Sequence, residues 1–90
     1  MSYNGWDNYE TWAVKCWLDN EEGTYEHART LTEHLSEPGH LATGIKDWVE
    51  EMMPDLGASL AADLLGAVLS KVAWYEIAQA YLEDFAPIER

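Results

Sequence analysis

Apolar residues along this chain recur at steps of three and four, the spacing that lines one side of an α-helix, and nowhere alternate long enough to mark a strand. The first stripe runs Tyr9, Trp12, Ala13, Cys16 and Trp17. A turn at Asn4-Gly5 precedes it, Asp7 and Asn8 offer N-caps, and Asp7 with Glu10 has the spacing of a capping box. This helix is expected to end near Asn20. Residues 21–24 read as a connection containing Gly23. Thr24 is expected to cap a second helix that turns Tyr25, Ala28, Leu31 and Leu35 inward and ends before Pro38-Gly39. A third stripe, Leu41, Ile45, Trp48, Val49 and Met52, predicts a helix from about Leu41 to Met53, stopped by Pro54.

The stretch from Leu56 to Phe85 allows two readings. Leu60, Leu64, Ala67 and Val68 form one face; Trp74, Ile77, Ala78, Tyr81, Leu82 and Phe85 form another. A single helix here is ~40 Å long and has no partner of that length in a small domain. Two helices broken around Ser70 to Ala73 are therefore expected, although no strong breaker marks the place, and Pro87 closes the last one. The pattern as a whole predicts one all-α domain over residues 1–90, a compact bundle of four to five short helices with an aromatic-rich core.

Composition changes the picture in three ways. Five Trp, five Tyr and one Phe in 90 residues let a few very large side chains supply most of the core. Five Lys and Arg against 17 Asp and Glu leave a net charge of −12. A chain this acidic lacks the basic footprint that direct nucleic-acid binding requires, and anionic membranes repel it. The single cysteine, Cys16, excludes an internal disulfide and a multi-cysteine zinc site. No apolar run is long enough to span a membrane, and the opening residues lack the basic and apolar segments of a signal peptide. A cytoplasmic location is expected.

Catalytic chemistry finds little support. Glu26-His27 and Glu33-His34 repeat at a spacing of seven, which sets the imidazoles ~10 Å apart, whereas a helical pair sharing one metal needs a spacing of three or four. These residues read as a solvated polar face, and Cys16 as a small buried hydrophobe whose neighbour Lys15 points elsewhere. The six glycines are scattered and make no phosphate loop. No cofactor, no metal and no enzymatic activity are expected.

The carboxylates are the remaining candidates. Glu21, Glu22, Glu26, Glu33 and Glu37 gather in the first connection and second helix, with Asp19 next to them; Asp47, Glu50, Glu51 and Asp55 make a second group, and Glu83, Asp84 and Glu89 a third. Carboxylates one helical turn apart rise ~5.4 Å, comparable to the spacing of backbone phosphates. A rigid helical surface of this kind suits a basic groove built for nucleic acid, and its field speeds the encounter. The plainer reading is that acidity keeps an aromatic-rich domain soluble.

Two segments carry a family signature. Tyr3-Asn4-Gly5-Trp6, Asn8-Tyr9-Glu10-Thr11-Trp12 and then Val14, Trp17, Leu18, Asp19 and Asn20 resemble the NGW-x-NYETW-x-V-x-x-W-x-x-N opening of small uncharacterised proteins of bacteriophages, plasmids and other mobile elements. Ala62-Asp63-Leu64-Leu65 and Val72 to Ala78 resemble the second half of the same family, where a capping Asn or Asp stands in place of Ala73. The motif reads as mainly architectural: Asn8 caps, Trp12 and Trp17 enter the core, Glu10 favours the helix dipole and Thr11 faces solvent. A binding role for Trp6, Tyr9 and Glu10 stays open.

The mobile-element resemblance implies an inhibitor of host defence, of the anti-CRISPR or anti-restriction type. Its expected partner is a host protein with a basic nucleic-acid-binding groove, met by Glu21, Glu22, Glu26, Glu33, Glu37, Asp47, Glu50 and Glu51. The alternative is a helical interaction or self-assembly module. It would use an exposed aromatic patch at Tyr3, Trp6 and Tyr9, or a homodimer through Leu60 to Val68.

Overall fold

Asn8 stands in extended backbone (φ −156°, ψ 173°), and its Oδ1 accepts from the Thr11 N–H at 2.9 Å and the Thr11 hydroxyl at 2.6 Å. That cap starts helix α1, Tyr9–Asn20. The structure is a computed structural model and describes residues 3–85. Ahead of α1, Asn4 (φ 49°) and Gly5 (φ 88°) make the expected turn, closed by paired hydrogen bonds between the Tyr3 and Trp6 backbones. Positive φ at both central positions is what Asn-Gly supplies most easily. The Asp7–Glu10 box does not form: Asn8 takes the cap, and the Asp7 N–H donates to Glu76 Oε1 at 3.0 Å.

Only Glu21 separates α1 from α2, Glu22–His34. Gly23 and Thr24 thus lie inside α2 and not in a connection, which corrects the expected Thr24 cap. The Thr24 hydroxyl instead donates to the Leu18 carbonyl at 2.7 Å, satisfying an end of α1. The third helix, α3, spans Pro38–Met52 and begins three residues before the expected Leu41. Proline fits the first helical position because its missing N–H has no partner there, and Glu37 caps by accepting from the His40 N–H at 2.8 Å. Met53, just before Pro54, is extended and ends α3 as expected. Gly44 in α3 lets α2 come close, since a Cβ there would stand 2.7 Å from Leu35 Cδ1.

The fourth helix, α4, spans Leu60–Leu69 and the fifth, α5, Trp74–Asp84. The expected break is present, and groups from across the molecule satisfy it. Asn8 Nδ2 donates to the Lys71 carbonyl at 2.7 Å, and the Thr11 hydroxyl accepts the Ala73 N–H at 2.8 Å. Backbone groups freed by the break are therefore taken by the two side chains that start α1. Thr11 is fully buried, contrary to the solvent-facing position expected for it. Pro87 lies outside the described residues.

The five helices make an all-α bundle with no strand among the described residues. Its centre is α3 against α5, with α2 packed on both and α1 on α2 and α5. Leu41, Ile45, Ile77 and Tyr81 are fully enclosed, and Trp6, Trp48, Trp74 and Phe85 pack around them. Trp17 does not join this core: 71% of it is exposed. Tyr25 is exposed too, where an inward position was expected, and its ring meets Phe85 edge-on at 5.3 Å. α4 buries none of its residues and packs closely on no other helix. No helix of the described residues is long and apolar enough to cross a membrane.

Candidate functional site

All eight carboxylates singled out in the sequence are exposed. Glu22, Glu26 and Glu33 follow one another along the outer side of α2, opposite buried Ala28 and Thr32. Arg29 lies 3.8 Å from both Glu26 and Glu33, pairs that water screens heavily. Glu21 is the hinge residue between α1 and α2, and Asp47, Glu50 and Glu51 stand on the outer side of α3. Glu37 is committed to its cap: hydrogen bonds from the His40 and then the Gly39 N–H hold its carboxyl below the usual value. The carboxylates thus form two helical rows, not one enclosed site. Glu89 of the third group lies outside the described residues.

The histidines do not converge. His27 lies against the Trp48 ring, centroids 4.5 Å apart, and His34 Nδ1 is 2.8 Å from the Thr30 carbonyl. Among the described residues no three His, Cys, Asp or Glu side chains are grouped to hold a metal ion. Cys16 is half-buried, less enclosed than expected.

A part-buried polar cluster joins residues that the sequence expectations did not bring together. Lys15 Nζ, almost wholly enclosed, bonds Asp19 Oδ2 at 2.6 Å and Asp84 Oδ2 at 3.4 Å, and stands 4.5 Å from the Tyr81 ring centroid. The Tyr81 hydroxyl donates to Asp19 Oδ1 at 2.8 Å. Burial first, then the hydrogen bond to Asp19, pushes the Tyr81 phenol far above its ordinary range and keeps it neutral. Each group is satisfied by another, so the cluster clamps α1 to α5. The i,i+4 spacing of Lys15 and Asp19 was a visible signal for half of it.

An apolar concave surface lies elsewhere. A groove of about 370 Å³ runs between α1, α3 and α4, walled by Tyr9, Ala13, Trp17, Val49, Met52 and Val68. Polar side chains enter it only from Glu10, Glu21 and Thr24, and the Thr24 hydroxyl is engaged with backbone carbonyls. Beyond Val68, which is 45% exposed, the stripe continues along α4 through Leu64 at 58% and Leu60 at 76%. Groove and helix face therefore make one continuous apolar surface. Of the aromatic patch expected at Tyr3, Trp6 and Tyr9, Trp6 is withdrawn against the core. Tyr3 and Tyr9 remain outside, clustered with Trp12 at centroid distances of 5.0–5.5 Å. Such a lining offers apolar area and shape to a ligand, with few polar groups to act on it.

Residues 1–89 match the family described as a family of unknown function, DUF7249. The chain belongs to that family. No curated protein and no solved structure matches it. In this DUF7249 member the Asn8-Tyr9-Glu10-Thr11-Trp12 segment serves two ends. Asn8 and Thr11 tie α1 to the α4–α5 turn, while Tyr9 and Glu10 line the groove.

Proposed function

We propose that this protein is a non-catalytic protein-binding module of the bacterial cytoplasm that docks through the groove and the outer face of α4. The observation that carries the reading is α4 itself, a ten-residue apolar helix with none of its residues buried. Leu60, Leu64 and Val68 leave an apolar stripe of α4 in water, and such a stripe favours association, because covering it releases hydration at about 25 cal/mol per Å². The test is capture of binding chains by the tagged full protein at low and high salt, beside Leu64→Glu. The expected result is a partner held through high salt and lost from the variant. Capture that ignores Leu64→Glu overturns the reading.

A second reading is supported by the exposure of the two carboxylate rows. Here the protein inhibits a host defence complex of the CRISPR or restriction type by occupying its basic nucleic-acid groove with charge resembling DNA. Binding then weakens steeply over a few hundred millimolar salt. Neutralising Glu22, Glu26 and Glu33, or Asp47, Glu50 and Glu51, abolishes it, while Leu64→Glu leaves it intact. Binding that survives neutralisation of both rows excludes this mechanism.

A further inference from the structure

We infer that the occupant of the apolar face is a second copy of this chain, held α4 against α4 across a two-fold axis. The inference rests on reading that face as a docking surface, and it names the partner.

Area is the first support. Trp17, Tyr9, Leu60, Leu64, Val68 and Met52 are all substantially exposed on this side. Together they present on the order of 600 Å² of apolar surface. That is at the top of the range for the largest patch on a typical monomer, about 300–600 Å². With the flanking residues it approaches the ~800 Å² that each partner contributes to a standard-size interface. The surface is also continuous, because Leu60, Leu64 and Val68 succeed one another at steps of four and Val68 walls the groove with Trp17 and Tyr9.

Charge is the second support. The chain carries 17 acidic residues, yet α4 holds a single charged group, Asp63, at the edge of its apolar stripe. An isologous interface brings each residue near its own image or that of a neighbour, so carboxylates there would face carboxylates. Two chains at −12 each repel one another, so pairing favours a face with few acidic groups; the α4 stripe meets that condition, while Glu10 and Glu21 lie in the adjoining groove. A basic partner selected by charge would require the opposite arrangement, with carboxylates at the contact. Salt therefore has a distinctive effect: screening the mutual repulsion strengthens the dimer.

The experiment is light scattering on the full chain after size exclusion, across protein concentration and at two salt levels. The expected result is a species of twice the 10.2 kDa chain mass that gains population with salt. Leu64→Glu should weaken the dimer about 30-fold or more, as loss of a central contact does, with unchanged far-UV circular dichroism. Trp17→Ala changes the opposite wall of the same face and should act in the same direction, guarding against an effect of Glu on α4 alone. A wild-type chain that remains at 10.2 kDa up to concentrations on the order of 1 mM overturns the inference. So does a dimer indifferent to both substitutions. If a monomeric wild type still binds a foreign chain that Leu64→Glu loses, the dimer fails and the docking face stands. If that binding is also indifferent, both fail.

Discussion

α4 and α5 follow one another, are ten and eleven residues long, and both carry an apolar stripe, yet they meet opposite fates. α5 buries Ile77, Ala78 and Tyr81 and packs on α3, α2 and α1; α4 buries nothing. A stripe thus marks where a helix wants a partner, and not whether the same chain provides one. α5 has ties in addition to apolar area: Tyr81 bonds Asp19, Glu76 accepts from Asp7, and Asp84 meets Lys15. No hydrogen bond or ion pair from an α4 side chain to another helix accompanies its apolar face among the described residues.

The most direct challenge to this contrast is to truncate matching positions. Ile77→Ala should cost about 2–4 kcal/mol in chemical denaturation, because the side chain is fully enclosed. Leu64→Ala, measured at a dilution that keeps the chain monomeric, should change stability by no more than about 0.5 kcal/mol. Equal losses would mean that α4 is packed after all. Next in size is Thr11→Val, which keeps the volume but removes the hydroxyl that accepts the Ala73 N–H. It should cost about 1–3 kcal/mol and speed hydrogen exchange at the start of α5. Unchanged exchange there would show that the α4–α5 break stands without α1.

The smallest effect is alkaline. The folded Tyr81 phenol holds its proton far above the ordinary 10.0 at which the unfolded chain releases it. Its folded pKa is raised, so the contribution is complete below about pH 10 and is lost as pH rises above that value. The wild type should lose stability above pH 10 more steeply than Tyr81→Phe, read from denaturation midpoints at matched pH. Parallel slopes would remove Tyr81 from the α1–α5 clamp.

Local signals were legible. Asn4-Gly5 announces a turn because few other pairs accept positive φ twice, Asn8 announces a helix start, and Pro54 an end. The break at Ser70 to Ala73 was inferred from the length of helix a small domain can cover. The side chains that satisfy its backbone, Asn8 and Thr11, lie more than sixty residues away in sequence. The candidate site was half legible. Periodicity placed Leu60, Leu64 and Val68 on one face, but it placed Trp17 inside with equal force. A Trp at a stripe position looks the same whether the neighbouring helix covers it or stops short. Thr11 was misjudged for the converse reason, since polar groups enter the interior only where distant partners satisfy them.

The helices, most of their ends and the excess of negative charge follow from the amino-acid sequence, because caps, turns and ionisation depend on neighbours a few residues away. Which stripes met and which stayed in water was settled in three dimensions. Burial depends on the helix lying opposite, and for Ile77 that helix is α3, while for Leu64 no helix of the described chain takes the place.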